Sequence, residues 1–416
     1  MNARLTGFHR LFSGGIEIRE LHSGVAARNS TLLGSHRLLY YVSIFVSSLG
    51  LGMYVYFIPV FAQRFGATFL DLGYIGTVTA LTYAMVPMFV GHLADRMNRS
   101  YLYALSLLLN FLATLMLIFS RSVSDIILIR GLGGLGLAFY WPITEILVLD
   151  IAPREKRVRE MGLYSVSWGS AYLIGPTLGG IIIQELGFVK LFAISSALIA
   201  FALLQAAVTV LPYHQRKEGH ATNVLGGLRV MRKLLPWYAL VVCYGMITNI
   251  IATIFPGYAS SLGISAVLIG GLFTAFGFAR VSSYAAAERY LHFGERKALV
   301  VASLMISASC LAIAFYPSFD AFLPALAILG ACIAIVFPLS IGLISRHFLD
   351  EQSGAAVGSY ETVTGIGNTI GPALAGAVAA ISNVQLSFVT TSFFAILMAI
   401  IAATGKIPIN EETPTV

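Results

Sequence analysis

Twelve apolar runs divide this chain, and no other feature narrows its possible folds so far. They lie near 38–60, 72–92, 101–120, 123–149, 160–183, 190–211, 237–258, 264–286, 297–316, 320–345, 355–381 and 384–404. A helix needs about 20 apolar residues to cross a bilayer, and in lipid it satisfies its own backbone hydrogen bonds. Only 11% of residues are charged, against roughly 25% in an ordinary soluble domain. Mean hydropathy is +0.83. The expected fold class is therefore an all-α polytopic membrane protein with twelve transmembrane helices.

An internal repeat groups these helices. Gly162 to Gly180 reads GLYSVSWGSAYLIGPTLGG, and Gly358 to Gly376 reads GSYETVTGIGNTIGPALAG. At an offset of 196 residues, eight of nineteen positions match, among them Gly175/Gly371, Pro176/Pro372 and Gly180/Gly376. Glycine clusters let membrane helices approach closely, and proline removes a backbone hydrogen bond and bends the helix. Each half is expected to hold one such bent, tightly packed helix, with Gly162 as part of the pattern. The chain then reads as two pseudo-symmetric six-helix bundles, 38–211 and 237–404. A polar, basic segment, 212–236, joins them, and tails at 1–37 and 405–416 flank them.

Charge placement orients the chain. With both tails inside, 21 Lys and Arg residues fall on the cytoplasmic side and three, Arg64, Arg121 and Lys190, on the other. Such a bias points to a plasma (inner) membrane protein with both termini cytoplasmic. The +7 net charge thus reads as topology rather than nucleic-acid binding. The first apolar run starts late, is long enough to span and lacks a small-residue cleavage site, which disfavours a cleaved signal peptide.

Catalytic patterns are missing. Cys243, Cys310 and Cys332 are far apart in apolar runs, and the eight histidines sit between runs or at their ends. Neither set has metal-ligand spacing. No GxxxxGK[ST] loop is present, and the glycines of RGLGGLG open no βαβ unit. The expectation is no enzyme, no cofactor and no metal.

Three motifs carry a family resemblance. Gly91 to Arg99 reads GHLADRMNR, with a weaker counterpart, YAAAERYLHFGERK, from Tyr284 to Lys297. Arg130 to Gly136 reads RGLGGLG, and Gly162 to Gly180 is the Gly-Pro stretch above. Together they resemble the loop, fourth-helix and fifth-helix motifs of the major facilitator superfamily, the last as found in its proton-coupled exporters. Asn98 stands where the family loop usually has glycine, and Ala171 replaces one fifth-helix glycine. The resemblance implies the superfamily fold and secondary transport, commonly as a monomer. It also implies a cytoplasmic latch of Asp95, Arg96, Arg99 and Asp150, with a more degenerate one at Glu288, Arg289 and Arg346.

Charges inside spans are expensive unless paired or facing water, which makes Arg130, Glu145, Arg280 and Glu361 functional candidates. Arg130 reads equally as a substrate contact or as a structural arginine on helix 1 carbonyls. Glu145 lies fifteen residues further on, about 22 Å along a helix, too far to pair with it. It reads as a proton carrier, or as a group that meets cytoplasmic water or the latch. Glu361 and Arg280 are expected to form a salt bridge. In this family, spans 1, 4, 7 and 10 line the cavity, which offers Tyr54, Tyr56, Tyr140, Trp141, Tyr244, Asn249 and Thr253. Tyr40 and Tyr41 read as interfacial. The leading functional expectation is proton-coupled export of an amphipathic compound. Uptake or exchange of an organic anion through Arg130 or Arg280 stands beside it, and a non-transporting sensor is the reading from another class.

Overall fold

The apolar runs become helices in the computed structural model, which describes residues 38–85, 93, 97–151, 157–209, 234–285, 293–345 and 353–405. No strand occurs among the described residues. The helices are α1 (Leu38–Gln63) and α2 (Phe69–Met85), then α3 (Arg99–Met116, extended by a 3-10 turn to Phe119) and α4 (Val123–Ile151). A continuous run over Arg157–Thr209 breaks at Gly187, whose φ of 81° only glycine adopts freely, giving α5 (157–186) and α6 (188–209). The second half holds α7 (Leu235–Ser261), α8 (Ala266–Ala285), α9 (Glu295–Phe315), α10 (Phe319–Ser345), α11 (Ser353–Ile381) and α12 (Val384–Thr404).

Ten of these are long and apolar enough to cross a membrane, with α5 and α6 counted as one. The 17 described residues of α2 fall short of that length, and its expected continuation to residue 92 lies outside the described residues. So do almost all of the tails and the central segment. Phe119, Leu128 and Ile381 face outward, as lipid-facing side chains do.

The repeat recurs in detail. The α1–α2 and α7–α8 turns each carry a glycine with positive φ, Gly66 at 81° and Gly263 at 79°. Pro142 lies inside α4 and Pro338 inside α10. Two residues after each proline, a hydroxyl bonds backwards along its helix and meets a tyrosine of the repeated stretch. Thr144 Oγ1 is 3.1 Å from the Tyr164 hydroxyl, and Ser340 Oγ is 3.0 Å from that of Tyr360. Both tyrosines are buried. The matched Tyr164/Tyr360 pair therefore ties the repeated helix to the proline-bearing helix before it.

Candidate functional site

Two junctions join the halves, α2 on α11 and α5 on α8. A Cβ added at Gly73 would collide with the Pro372 carbonyl oxygen, and one at Gly270 with that of Pro176. Gly180 lies as tightly against Ala266, and Gly376 against Phe69 and Gly73. The prolines and last glycines of the repeat thus supply the close approach in both junctions. Hydroxyls follow the same symmetry, because Thr77 donates to the Thr369 carbonyl and Thr274 to the Leu173 carbonyl, each at 2.9 Å. Small residues with hydroxyl cross-links are how helices adhere where lipid removes the hydrophobic drive.

Between the junctions lies a cavity of about 300 Å³, walled by α1, α2, α4, α7, α8 and α11. Of the charged candidates, Arg130 and Arg280 line it, one from each half, together with Asn249. Tyr56, Thr79, Tyr83, Thr248, Thr253 and Asn368 complete its polar surface. Asn249 Nδ2 donates to the Asn368 carbonyl at 2.6 Å, so this side chain both lines the cavity and pins α7 to α11. The Tyr56 ring stacks on Phe273 at 3.9 Å and 14°, joining α1 to α8.

At the short-turn end the halves meet again, where Gln63 Nε2 donates to the Gly257 carbonyl at 3.0 Å. Toward the opposite end Glu145 and Glu361 are exposed, and a Cβ placed at Gly162 or Gly169 would meet no described atom within 4 Å beyond the adjoining backbone of its own helix. Glu145 and Glu361 sit within each other's electrostatic reach, and Tyr83 within reach of both.

This arrangement has a match among known proteins. The sequence profile of the Major Facilitator Superfamily fits residues 40–287 and, in a second overlapping match, 237–415. The chain belongs to the major facilitator superfamily. Quinolone resistance protein NorA of Staphylococcus aureus is 25% identical over 360 residues, covering 81% of this chain and 88% of that protein. Multidrug resistance protein 2 of Bacillus subtilis is 25% identical over 376 residues, covering 85% and 91%. The structure of the nucleoside transporter NupG superposes with a TM-score of 0.79 at 11% identity, over 89% of this chain and all of that one, a likeness of fold alone. The protein is accordingly an integral membrane transporter of small molecules and not an enzyme.

Of the latch that the superfamily implies, one contact falls within the described residues. Arg99 Nη1 and Asp150 Oδ2 form a largely buried ion pair at 2.5 Å that ties the start of α3 to the end of α4. Asn98, in place of the family glycine, caps α3 by accepting from the Ser100 N–H at 2.9 Å. Asp95, Arg96, Glu288, Arg289 and Arg346 lie outside the described residues.

Several expectations need correction. Arg280 makes no ion pair with Glu361; its Nε donates instead to the Tyr284 hydroxyl, one helical turn away, at 3.3 Å. Tyr140 does not face the cavity, because it packs against α1, with its hydroxyl 2.8 Å from Ser47 and 3.0 Å from Ser48. Tyr40 and Tyr41 are buried rather than interfacial: Tyr40 donates to the Thr144 carbonyl at 3.1 Å and Tyr41 to Glu160 Oε2 at 2.5 Å. Gly162 is no packing contact, since a Cβ there would face open space. Within the repeat, Gly371 and Gly175 pack closely but face other neighbours than the prolines that follow them. A Cβ at Gly371 would strike the Met246 backbone on α7, and one at Gly175 the Gly52 backbone on α1, so each glycine packs inside its own half while its proline faces the other. Successive helical positions point about 100° apart, which sends the two members of each Gly-Pro pair to different neighbours. The sequence reading also missed Tyr83, Thr248 and Asn368, whose signal is a polar group inside an apolar run. Among the described residues, no group of three or more His, Cys, Asp or Glu could hold a metal.

Proposed function

We propose that this protein exports an amphipathic, drug-like compound by alternating access in exchange for protons, with both termini in the cytoplasm, as a monomer. The observation that carries the reading is a cavity between two pseudo-symmetric halves, walled by helices of both. A site so placed is exposed to one side or the other as the halves rock. Its aromatic and hydroxyl surface suits a moderately hydrophobic ligand. Two relatives over most of the chain bear names that speak of quinolone and multidrug resistance, which supports export of such compounds.

Glu145 and Glu361 are the groups proposed to carry the proton. They stand on α4 and α11, one in each half, and both are exposed, so rocking of the halves changes their surroundings. Ionisable groups at such depth are the usual proton carriers of transporters. Asp95 and Arg96, with Glu288 and Arg289, are proposed to close the same end when the halves come together.

Vesicles holding only this protein and an interior pH dye test the proposal against a panel of amphipathic cations, organic anions and sugars. The expected result is an interior pH change with one ligand class that Glu145→Gln removes. A pH response unchanged in Glu145→Gln eliminates Glu145 as carrier. Silence across the panel while binding persists contradicts proton exchange and leaves a uniporter or a sensor with a transporter fold.

A further inference from the structure

We propose that the transported compound carries a hydrogen-bond donor and acceptor side by side, as in a lactam or a cyclic imide, read by Asn249 and Asn368; this rests on the transporter reading above. Both side chains line the cavity, from α7 and α11 of one half. Backbone packing makes them neighbours, because a Cβ at Gly245 on α7 would lie 3.1 Å from the Asn368 backbone nitrogen, and one at Gly371 on α11 would strike Met246. Direct bonds then use part of each amide. Asn249 Nδ2 donates to the Asn368 carbonyl at 2.6 Å, and Asn368 Oδ1 accepts from Thr248 Oγ1 at 3.2 Å. What is left is an acceptor, Asn249 Oδ1, and a donor, Asn368 Nδ2, neither bonded to another described residue.

A polar side chain inside a span needs partners, and these two find only some of theirs in the protein. The duplication sharpens the point. The matched places of the first half hold Gly52 and Tyr172, which also meet, a Cβ at Gly52 lying 3.4 Å from the Tyr172 Cα. Packing of the two helices therefore needs no amide pair, and the pair in the second half answers to what fills the cavity. A lactam completes both amides at once, its N–H donating to Asn249 Oδ1 while its C=O accepts from Asn368 Nδ2. A lactone of the same shape keeps the second bond but sets its ring oxygen against Asn249 Oδ1, two acceptors with no proton between them. Tyr56 and Phe273, stacked together in the same lining, supply apolar surface for the ring that carries the lactam.

Equilibrium dialysis of the detergent-solubilised full chain, with empty micelles as the reference, against carbostyril, coumarin and quinoline tests this. The three are flat bicycles of similar size: carbostyril is the lactam, coumarin the lactone, and quinoline has neither the donor nor the carbonyl. Carbostyril is expected to bind about tenfold more tightly than coumarin, the scale of one buried hydrogen bond left unmade, with quinoline weakest. The wild-type comparison needs no variant to fold. Asn249→Ala should bring carbostyril down to coumarin, whereas Asn368→Ala, which keeps the backbone carbonyl, should weaken both and preserve their ratio. A purely structural amide pair would move all three probes together. Equal binding of carbostyril and coumarin, tightest binding of quinoline, or binding of none overturns the inference. The pH-dye vesicles separate this from the parent reading. If ligands of the panel drive a pH change while carbostyril and coumarin bind alike, the amide site falls and transport stands. If carbostyril binds preferentially and neither it nor any ligand of the panel drives a pH change, proton exchange falls and the amide site stands.

Discussion

The phenol of Tyr41 ends on a carboxylate, and that contact shows how differently one residue type serves in this protein. An aromatic near the end of an apolar run carries the same sequence signal whether it lies in the lipid interface or points inward, because both places favour an apolar ring with a polar tip. Here the ring is buried and its hydroxyl satisfies buried Glu160. Tyr41→Phe leaves that carboxylate short of a donor and should lower stability by about 1–3 kcal/mol, whereas Tyr74→Phe, on an exposed ring, should change it little. Thermal unfolding in detergent checks both, and equal midpoints for the two variants would return Tyr41 to the interface. The charged residues were the legible ones. Arg130, Arg280, Glu145 and Glu361 stood out because a charge inside a span demands a reason, and the first two line one cavity. Tyr140 misled because an aromatic on α4 can turn toward the cavity or toward α1, and the rotation of a helix is fixed by packing that its own sequence does not state.

At the scale of elements, the Gly-Pro repeat was legible as a duplication and as close packing, yet not as the place where the halves join. Nor did it show that Gly175 and Gly371 turn inward, to α1 and α7, while Pro176 and Pro372 turn across. Knowing the partners across the junctions required α2 and α8, whose facing residues, Gly73 with Thr77 and Gly270 with Thr274, show no repeat strong enough to notice. The two junctions share one hydroxyl bond in matched places, and the α5–α8 junction adds a second, Thr274 Oγ1 lying 2.8 Å from Thr177 Oγ1. Thr77→Val removes one hydroxyl bond across its junction and should cost about 0.6–2 kcal/mol, and Thr274→Val removes two and should cost more, with the double variant close to their sum. Unfolding midpoints of the three variants measure it. A loss at Thr274→Val no larger than that at Thr77→Val would mean that the Thr177 contact carries no energy.

For the whole molecule, the twelve helices and their two-fold plan followed from apolar run length and the repeat, both written locally along the chain. The state of the molecule was not written there. The halves meet at the short-turn end through Gln63–Gly257, and Glu145 and Glu361 are exposed toward the other end, an arrangement that rests on contacts far apart in sequence. Alternating access requires a second arrangement in which the ends exchange roles, and Gly162 and Gly169 on α5, open here, are placed to allow closure. Spin labels read this directly, because the three native cysteines are buried and exposed positions lie in matched places of the two halves. One doubly labelled protein carries labels at Arg64 and Ser261, at the short-turn end, and another at Tyr101 and Lys297, at the opposite end. Electron–electron distance measurements in vesicles, with and without a transported ligand, should show opposite changes, the first pair separating as the second draws together. Distances that stay fixed at both ends, or that lengthen together, would contradict alternating access in this protein.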